Sequence, residues 1–272
     1  YRHRAPVCHS STGCPRGRKH DHIRQGRSFT SSLLETSPFP TCHKQQRLAT
    51  TSKPQAASQS RTAIDRGGTS RDDKERKVRV TNLTFKQDFS PPIIVAHEKG
   101  SRPLFSEGAK ARHAIKLMAE EGVNRNVKGI ATRESGFCGF AAAEGVLLPG
   151  KTWNGKITFD AKKCKEPVYS VVAKLTNTND AFMGIAGSKF PTGRCPSKRF
   201  PPAFDAGTEK NNEKCTCMPG RACPASPKTR ENHGRGSEGF IHVHRGIEGV
   251  GDLSKADYSW KNPVAEVVVS KA

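Results

Sequence analysis

The chain has 272 residues, with 46 Lys and Arg against 25 Asp and Glu, a formal net charge of +21. Apolar residues make up 33% and aromatics 7%, thin for one compact unit of this length, where about 45–50% apolar is usual once glycine is counted. No run of 18 apolar residues occurs, which excludes a membrane-spanning helix. Heptads do not recur, which excludes a coiled coil. No G-x-x-x-x-G-K-[ST], G-x-S-x-G or H-E-x-x-H motif is present, against the commonest nucleotide, serine-hydrolase and zinc-protease sites.

Residues 1–75 are rich in Arg, Ser, Thr, His, Pro and Gln, and their apolar residues stand singly apart from Leu33–Leu34. Such a segment cannot bury enough apolar surface to offset its chain entropy, so a disordered basic tail is expected. The first methionine is Met118, and the N-terminus reads as incomplete. Three readings of the tail stand side by side: an organelle transit segment, a basic arm for an anionic polymer, or sequence absent from the mature protein. Cys8, His9, Cys14, His20 and His22 lie near one another, but not at zinc-finger spacing.

From residue 76 the chain reads as β-rich. The first strand is Lys77–Phe85, where Val78 and Val80 share a face, followed by Ile93–Ala96. A helix is predicted over Glu107–Glu121, with Ala111, Ala114, Ile115 and Met118 in one stripe and Gly122 as its left-handed stop. Further strands are predicted at Gly155–Asp160, Tyr169–Leu175, Phe240–Ile247 and Ala265–Val269. Short strands without alternating helices indicate a sandwich or barrel. The stretch from Gly187 to Gly239 is too long for an ordinary loop and is expected to be functional or cross-linked.

Nine cysteines occur: Cys8, Cys14 and Cys42 in the tail, then Cys138, Cys164, Cys195, Cys215, Cys217 and Cys223. The even number beyond the tail points to disulfides and an oxidising compartment. The nearest closure joins Cys223 to Cys215 or Cys217. Asn82-Leu-Thr84 is the one glycosylation sequon. His242 and His244 stand two apart on a predicted strand, where both imidazoles share a face. Such a pair chelates zinc, copper or iron when a third ligand joins, with His97 or Asp252 as candidates. The alternative is that both histidines make ordinary hydrogen bonds. Lys162, Lys163 and Lys165 form one basic cluster, and Lys198 with Arg199 another. They read as solvated lysines or as a patch for sulfated glycans, anionic lipid or nucleic acid; no nucleic-acid-binding motif accompanies them.

Several motifs in order resemble the spondin domain family, in its microbial and algal single-domain form. They are Val80-Thr-Asn-Leu-Thr84, Phe89-Ser-Pro-Pro-Ile93 to His97, Leu117-Met-Ala-Glu-Glu-Gly122 and Leu148-Pro-Gly150. The run continues with Thr178-Asn-Asp-Ala-Phe182, Phe204-Asp-Ala-Gly-Thr-Glu209, Gly239-Phe-Ile-His-Val-His-Arg-Gly-Ile247 and Trp260-Lys-Asn-Pro-Val-Ala265. The similarity spans about residues 76–272. It implies an all-β fold, an antiparallel β-sandwich like that of calcium-dependent membrane-binding domains. It also implies a non-enzymatic, secreted or cell-surface protein of the extracellular matrix, serving adhesion and recognition of a protein or glycan partner. The thrombospondin-type repeats of animal members are absent here.

The resemblance further implies a calcium ion, Ca2+, held by Asp180, Asp205 and Glu209. Carboxylates from two neighbouring loops, with carbonyls and water, suit an ion that takes six to eight oxygens. Glu209 stands where the animal form has Asp. The alternative is that Asp180 and Asp205 brace turns by hydrogen bonds. Two rival functions remain: a metalloenzyme or redox protein using His242 and His244, and an intracellular basic binding protein with residues 1–75 as its arm.

Overall fold

The computed structural model describes residues 73–223 and 236–272. The tail up to residue 72, with its cysteines and histidines, lies outside the described residues. Residues 73–75, which composition groups with the tail, already belong to the first strand, β1 (Asp73–Asn82).

Among the described residues, ten strands form two antiparallel sheets. The smaller holds β4 (Thr152–Asp160), β1, β10 (Ala265–Lys271) and β7 (Ser197–Arg199), in that order. The larger runs β3 (Phe137–Ala142), β2 (Ile93–Glu98), β5 (Pro167–Lys174), β6 (Ala181–Lys189), β8 (Ala203–Asp205) and β9 (His242–Val243). The fold is the all-β antiparallel sandwich expected.

Side-chain alternation builds two cores from one sheet. Ile94, Ala96, Tyr169, Val171 and Ala173 face inward and meet Val78, Val80, Ile157, Val267 and Val269 of the smaller sheet. Ile93, Val95, Val172 and Phe182 face outward, yet they too are buried. Helices α1 (His113–Glu121) and α2 (Arg125–Arg133) cover them through Ile115, Met118, Ala119 and Val127. Burial on both faces explains why β2 and β5 read as nearly unbroken apolar runs. Phe182 packs edge-on against Phe105, ring centres 5.1 Å apart, and beside Phe204. Phe182→Ala is expected to cost about 3–5 kcal/mol by leaving a cavity under the helices, measured by urea unfolding.

Two expectations need correction. The predicted helix is shorter: Glu107 lies in a turn before it, and α1 starts at His113. Its stop is as expected, with Gly122 at φ 73° and its N–H donating to Met118 O. The predicted strand Phe240–Ile247 shrinks to His242–Val243, because Gly239 and Gly246 adopt positive φ and break the ladder on both sides. In the stretch from Gly187 to Gly239, the described residues hold the end of β6, then β7 and β8, and the turn Cys215–Cys217, with the Cys215–Cys223 disulfide as a cross-link.

Disulfides join Cys138 to Cys164, and Cys215 to Cys223. The second chooses between the two closures left open by spacing, and Cys217 is a free thiol. No described helix is long and apolar enough to cross a membrane.

Candidate metal centre

The candidate residues gather where β6, β8 and β9 meet. Asp180 immediately precedes β6, Asp205 ends β8, and register sets Asp205 opposite both Ala181 and His242. Gly207 makes the approach possible. Its φ is 63°, and a Cβ there would lie 2.2 Å from the Phe240 carbonyl oxygen. The Gly239 N–H donates to Gly207 O at 3.0 Å, seating the following segment beside Asp205.

Asp180 and Glu209 share one buried cluster. Asp180 Oδ2 accepts the N–H groups of Thr208 (2.7 Å) and Glu209 (3.0 Å) and the Thr208 hydroxyl (3.1 Å). Asp180 Oδ1 is buried and has no hydrogen-bond partner. Burial first, then the charge of Asp205, pushes the Asp180 carboxyl up to about 7. Burial first, then the charge of Glu120, pushes Glu209 up to about 8. Glu120 projects from α1 and is paired with Lys116 at 2.5 Å.

A cation of the chain's own sits in this cluster. On β5, Ser170, Val172 and Lys174 alternate onto the helix-covered face, so Lys174 points under α1 and is fully buried. Its ammonium donates to the carbonyls of Ala119 (2.5 Å), Thr178 (2.9 Å) and Asn179 (2.7 Å). Ala119 O is one of the last carbonyls of α1, the negative end of that helix. The positive charge of Lys174 partly offsets the upward shifts of both Asp180 and Glu209.

Asp205 turns to other partners. Oδ1 accepts the Gly207 N–H at 2.7 Å, and Oδ2 accepts Asn211 Nδ2 at 2.5 Å. His242 Nε2 lies 3.9 Å from Asp205 Oδ1 and 4.0 Å from Glu238 Oε2. Asp205, Glu238 and His242 each offer one ligand atom, all within 4.8 Å of one another. Among the described residues no other trio of histidines, cysteines and acids gathers so closely. No protein-family model matches the chain, and no curated protein matches it either.

The two histidines differ. His242 Nδ1 faces the Val243 carbonyl at 3.1 Å, which can only accept, so Nδ1 carries the proton. In the neutral ring Nε2 then holds the lone pair; it is buried and lacks a hydrogen-bond partner. His244 is the reverse: Nδ1 accepts the Gly246 N–H at 2.9 Å, so Nε2 carries the proton and faces Asn211 Oδ1 at 3.3 Å. Burial first, then His242, holds His244 down to about 4.

Neither proposed third ligand of the histidine pair is nearby. His97 is buried between β2 and β5, its Nε2 2.9 Å from Ser170 Oγ. Asp252 accepts the Cys215 N–H at 2.8 Å. Glu238 takes their place and was missed, although it stands four residues before His242 with Gly239 between. Glu213 was missed as well. Its buried carboxylate accepts the N–H groups of Glu248, Gly249 and Val250 at 2.6, 2.8 and 2.9 Å, pinning the turn beside the cleft.

The sequon asparagine is structural. Asn82 is fully buried. Its Nδ2 donates to Gln87 O and Leu147 O, and its Oδ1 accepts the Thr84 N–H and hydroxyl.

Proposed function

We propose that this chain is a non-enzymatic recognition domain of the spondin type, acting outside the cell or at its surface on a protein or glycan partner. Calcium is the ion assigned to Asp180, Asp205 and Glu209 in this reading. One observation carries it: Asp180 Oδ1 is buried without a donor, an arrangement that favours a cation beside it. The donor chemistry suits a hard cation, since Asp180, Asp205 and Glu209 bring buried carboxylates from two loops. Bound calcium would supply the charge that lets these carboxyls ionise in place.

The chain's own residues perform the ordering. Asp180 Oδ2 holds the Thr208–Glu209 backbone, and Asn177 Nδ2 donates to Lys86 O at 2.9 Å, joining the Asp180 loop to the loop before β2. That neighbouring loop and the one before β4 display Leu83, Phe85, Val146 and Leu148, with Phe85 75% exposed. Hydrogen bonds from Asn82 N–H to Lys151 O and from Gly150 N–H to Asn82 O tie them together. Exposed apolar side chains on braced loops are the kind of surface a partner covers. The Cys138–Cys164 and Cys215–Cys223 disulfides support an oxidising setting.

Calorimetry with calcium tests the reading. Wild type is expected to bind one ion with a dissociation constant of about 10⁻⁴–10⁻³ M, the range of extracellular modules. Asp180→Asn keeps the oxygen that holds Thr208 and Glu209, and is expected to weaken binding at least about tenfold, because ligand charge count sets affinity. Absence of binding at millimolar calcium, or identical binding in the variant, refutes it.

A further inference from the structure

We propose that Asp205, Glu238 and His242 form a second metal centre, one that takes a divalent transition metal such as zinc or cobalt at the mouth of an open cleft. It goes beyond the calcium reading, involves a nitrogen ligand, and shares Asp205 alone with that reading.

The case begins with the imidazole. His242 has its proton fixed on Nδ1 by the Val243 carbonyl, the second-shell arrangement that orients a metal-binding histidine. The Nε2 lone pair is aimed at Asp205 Oδ1 and Glu238 Oε2, 3.9 and 4.0 Å away. In the neutral ring that lone pair faces two acceptor oxygens, a repulsion that a metal ion or a proton between them relieves. Ligand atoms about 2.1 Å from a tetrahedral zinc stand roughly 3.4 Å apart. The observed spacing therefore needs only a small inward turn of Glu238 or His242, both of which are partly exposed side chains.

The supports are in place. Asp205 is fully buried and oriented by the Gly207 N–H and by Asn211. His244 is not a ligand in this arrangement, since the Gly246 N–H occupies its Nδ1 lone pair. Instead its protonated Nε2 stands 3.8 Å from Asp205 Oδ2 and 3.3 Å from Asn211 Oδ1, an outer-shell donor. An imidazole ligand favours zinc and the later divalent transition metals over calcium or magnesium. Three protein ligands leave a coordination position open. It faces a cleft of about 630 Å³, also lined by Phe240, Arg245 and Glu248, where an oxygen-bearing ligand has room.

The test uses the full chain and cobalt(II) alone, with zinc as competitor. Wild type is expected to show cobalt d–d absorption from a nitrogen and oxygen shell, with one equivalent displaced by zinc. His242→Gln and Glu238→Gln are each expected to weaken that equivalent about 100-fold or more, since loss of an outer-shell partner alone costs about 10–100-fold. Asp180→Asn removes no ligand of this centre and is expected to change that equivalent far less than either variant, which separates this centre from the calcium reading. Near-ultraviolet circular dichroism of the variants checks that they fold. Signals unaltered by both variants, or cobalt bound only with thiolate charge-transfer bands from cysteine, overturn the proposal. Absence of binding at millimolar metal overturns it too, and identifies the trio as a plain ion pair of protonated His242.

Discussion

Replacing Lys174 by Met is expected to lower stability by about 3–5 kcal/mol, the usual cost of removing one partner from a buried charged cluster. Methionine fills a similar volume, so packing changes little and the effect isolates the ammonium. Three carbonyls, of Ala119, Thr178 and Asn179, lose their donor at once. Asp180 and Glu209 lose the positive charge that moderates their burial. Urea unfolding at pH 7 reads the loss as a fall in midpoint without a change in slope. Calcium provides a second measurement. The variant frees three carbonyl oxygens beside two carboxyls, so millimolar calcium is expected to raise its melting temperature by more than it raises that of wild type. An equal effect on both proteins would place the ion elsewhere.

Stability is expected to fall between pH 6.5 and pH 8 in chelator-treated protein. Asp180 and Glu209 sit at about 7 and 8 in the fold, above their ordinary 3.8 and 4.5. A group raised in this way binds its proton more tightly folded than unfolded. Its contribution is complete below the unfolded value and is lost as pH rises through the folded one. His244 runs the other way. Held down to about 4 from 6.5, it contributes fully above pH 6.5 and loses that contribution as pH falls towards 4. Between pH 4 and 6.5 the histidine offsets only one of the two acids, so the fall there is gentler, and above 6.5 only the acids remain. The slope there is bounded by about 1.4 kcal/mol per pH unit for each acid. Asp180→Asn is expected to reduce it, because the amide has no proton to lose, while Glu209 keeps its own share. Thermal melts at half-unit steps, with and without the variant, measure both. A flat wild-type profile across this window would mean that these carboxyls ionise at their ordinary values.

Much of the scaffold was legible in the chain. β2 and β5 carry Val, Ile or Tyr in runs that a sheet covered on both faces can bury, and β1, β4 and β10 alternate apolar with polar residues over one buried face; each was placed within a few residues. What escaped had weak local chemistry. β3 reads Phe-Cys-Gly-Phe-Ala-Ala, with small residues at half its positions. β6 begins inside a motif valued for its acid rather than its strand. β7 and β8 have three residues each. α2 has Gly129 at its centre and only Val127 and Ala131 fully covered. The site was legible in part. Asp180, Asp205 and Glu209 were named as one set; the Glu209 N–H donates to Asp180 Oδ2, while the Asp205 carboxylate is taken by Gly207 and Asn211. That Asp205 belongs with Glu238 and His242 depends on the β8–β9 pairing, which joins positions 37 residues apart (Asp205 to His242). No local pattern records such a pairing. The internal cation was invisible for a similar reason: a lysine after Val-Val-Ala looks like a strand end emerging into water until α1 is laid over it.

The buried Asn82 bears on how the protein is made. Its amide nitrogen already donates both hydrogens inside the sandwich, so an oligosaccharide added to it during synthesis would hold the end of β1 away from the 147–151 turn. Production in a host that decorates sequons would then divide the material into a sugar-free folded fraction and a sugar-bearing misassembled one. A host lacking that machinery avoids the division.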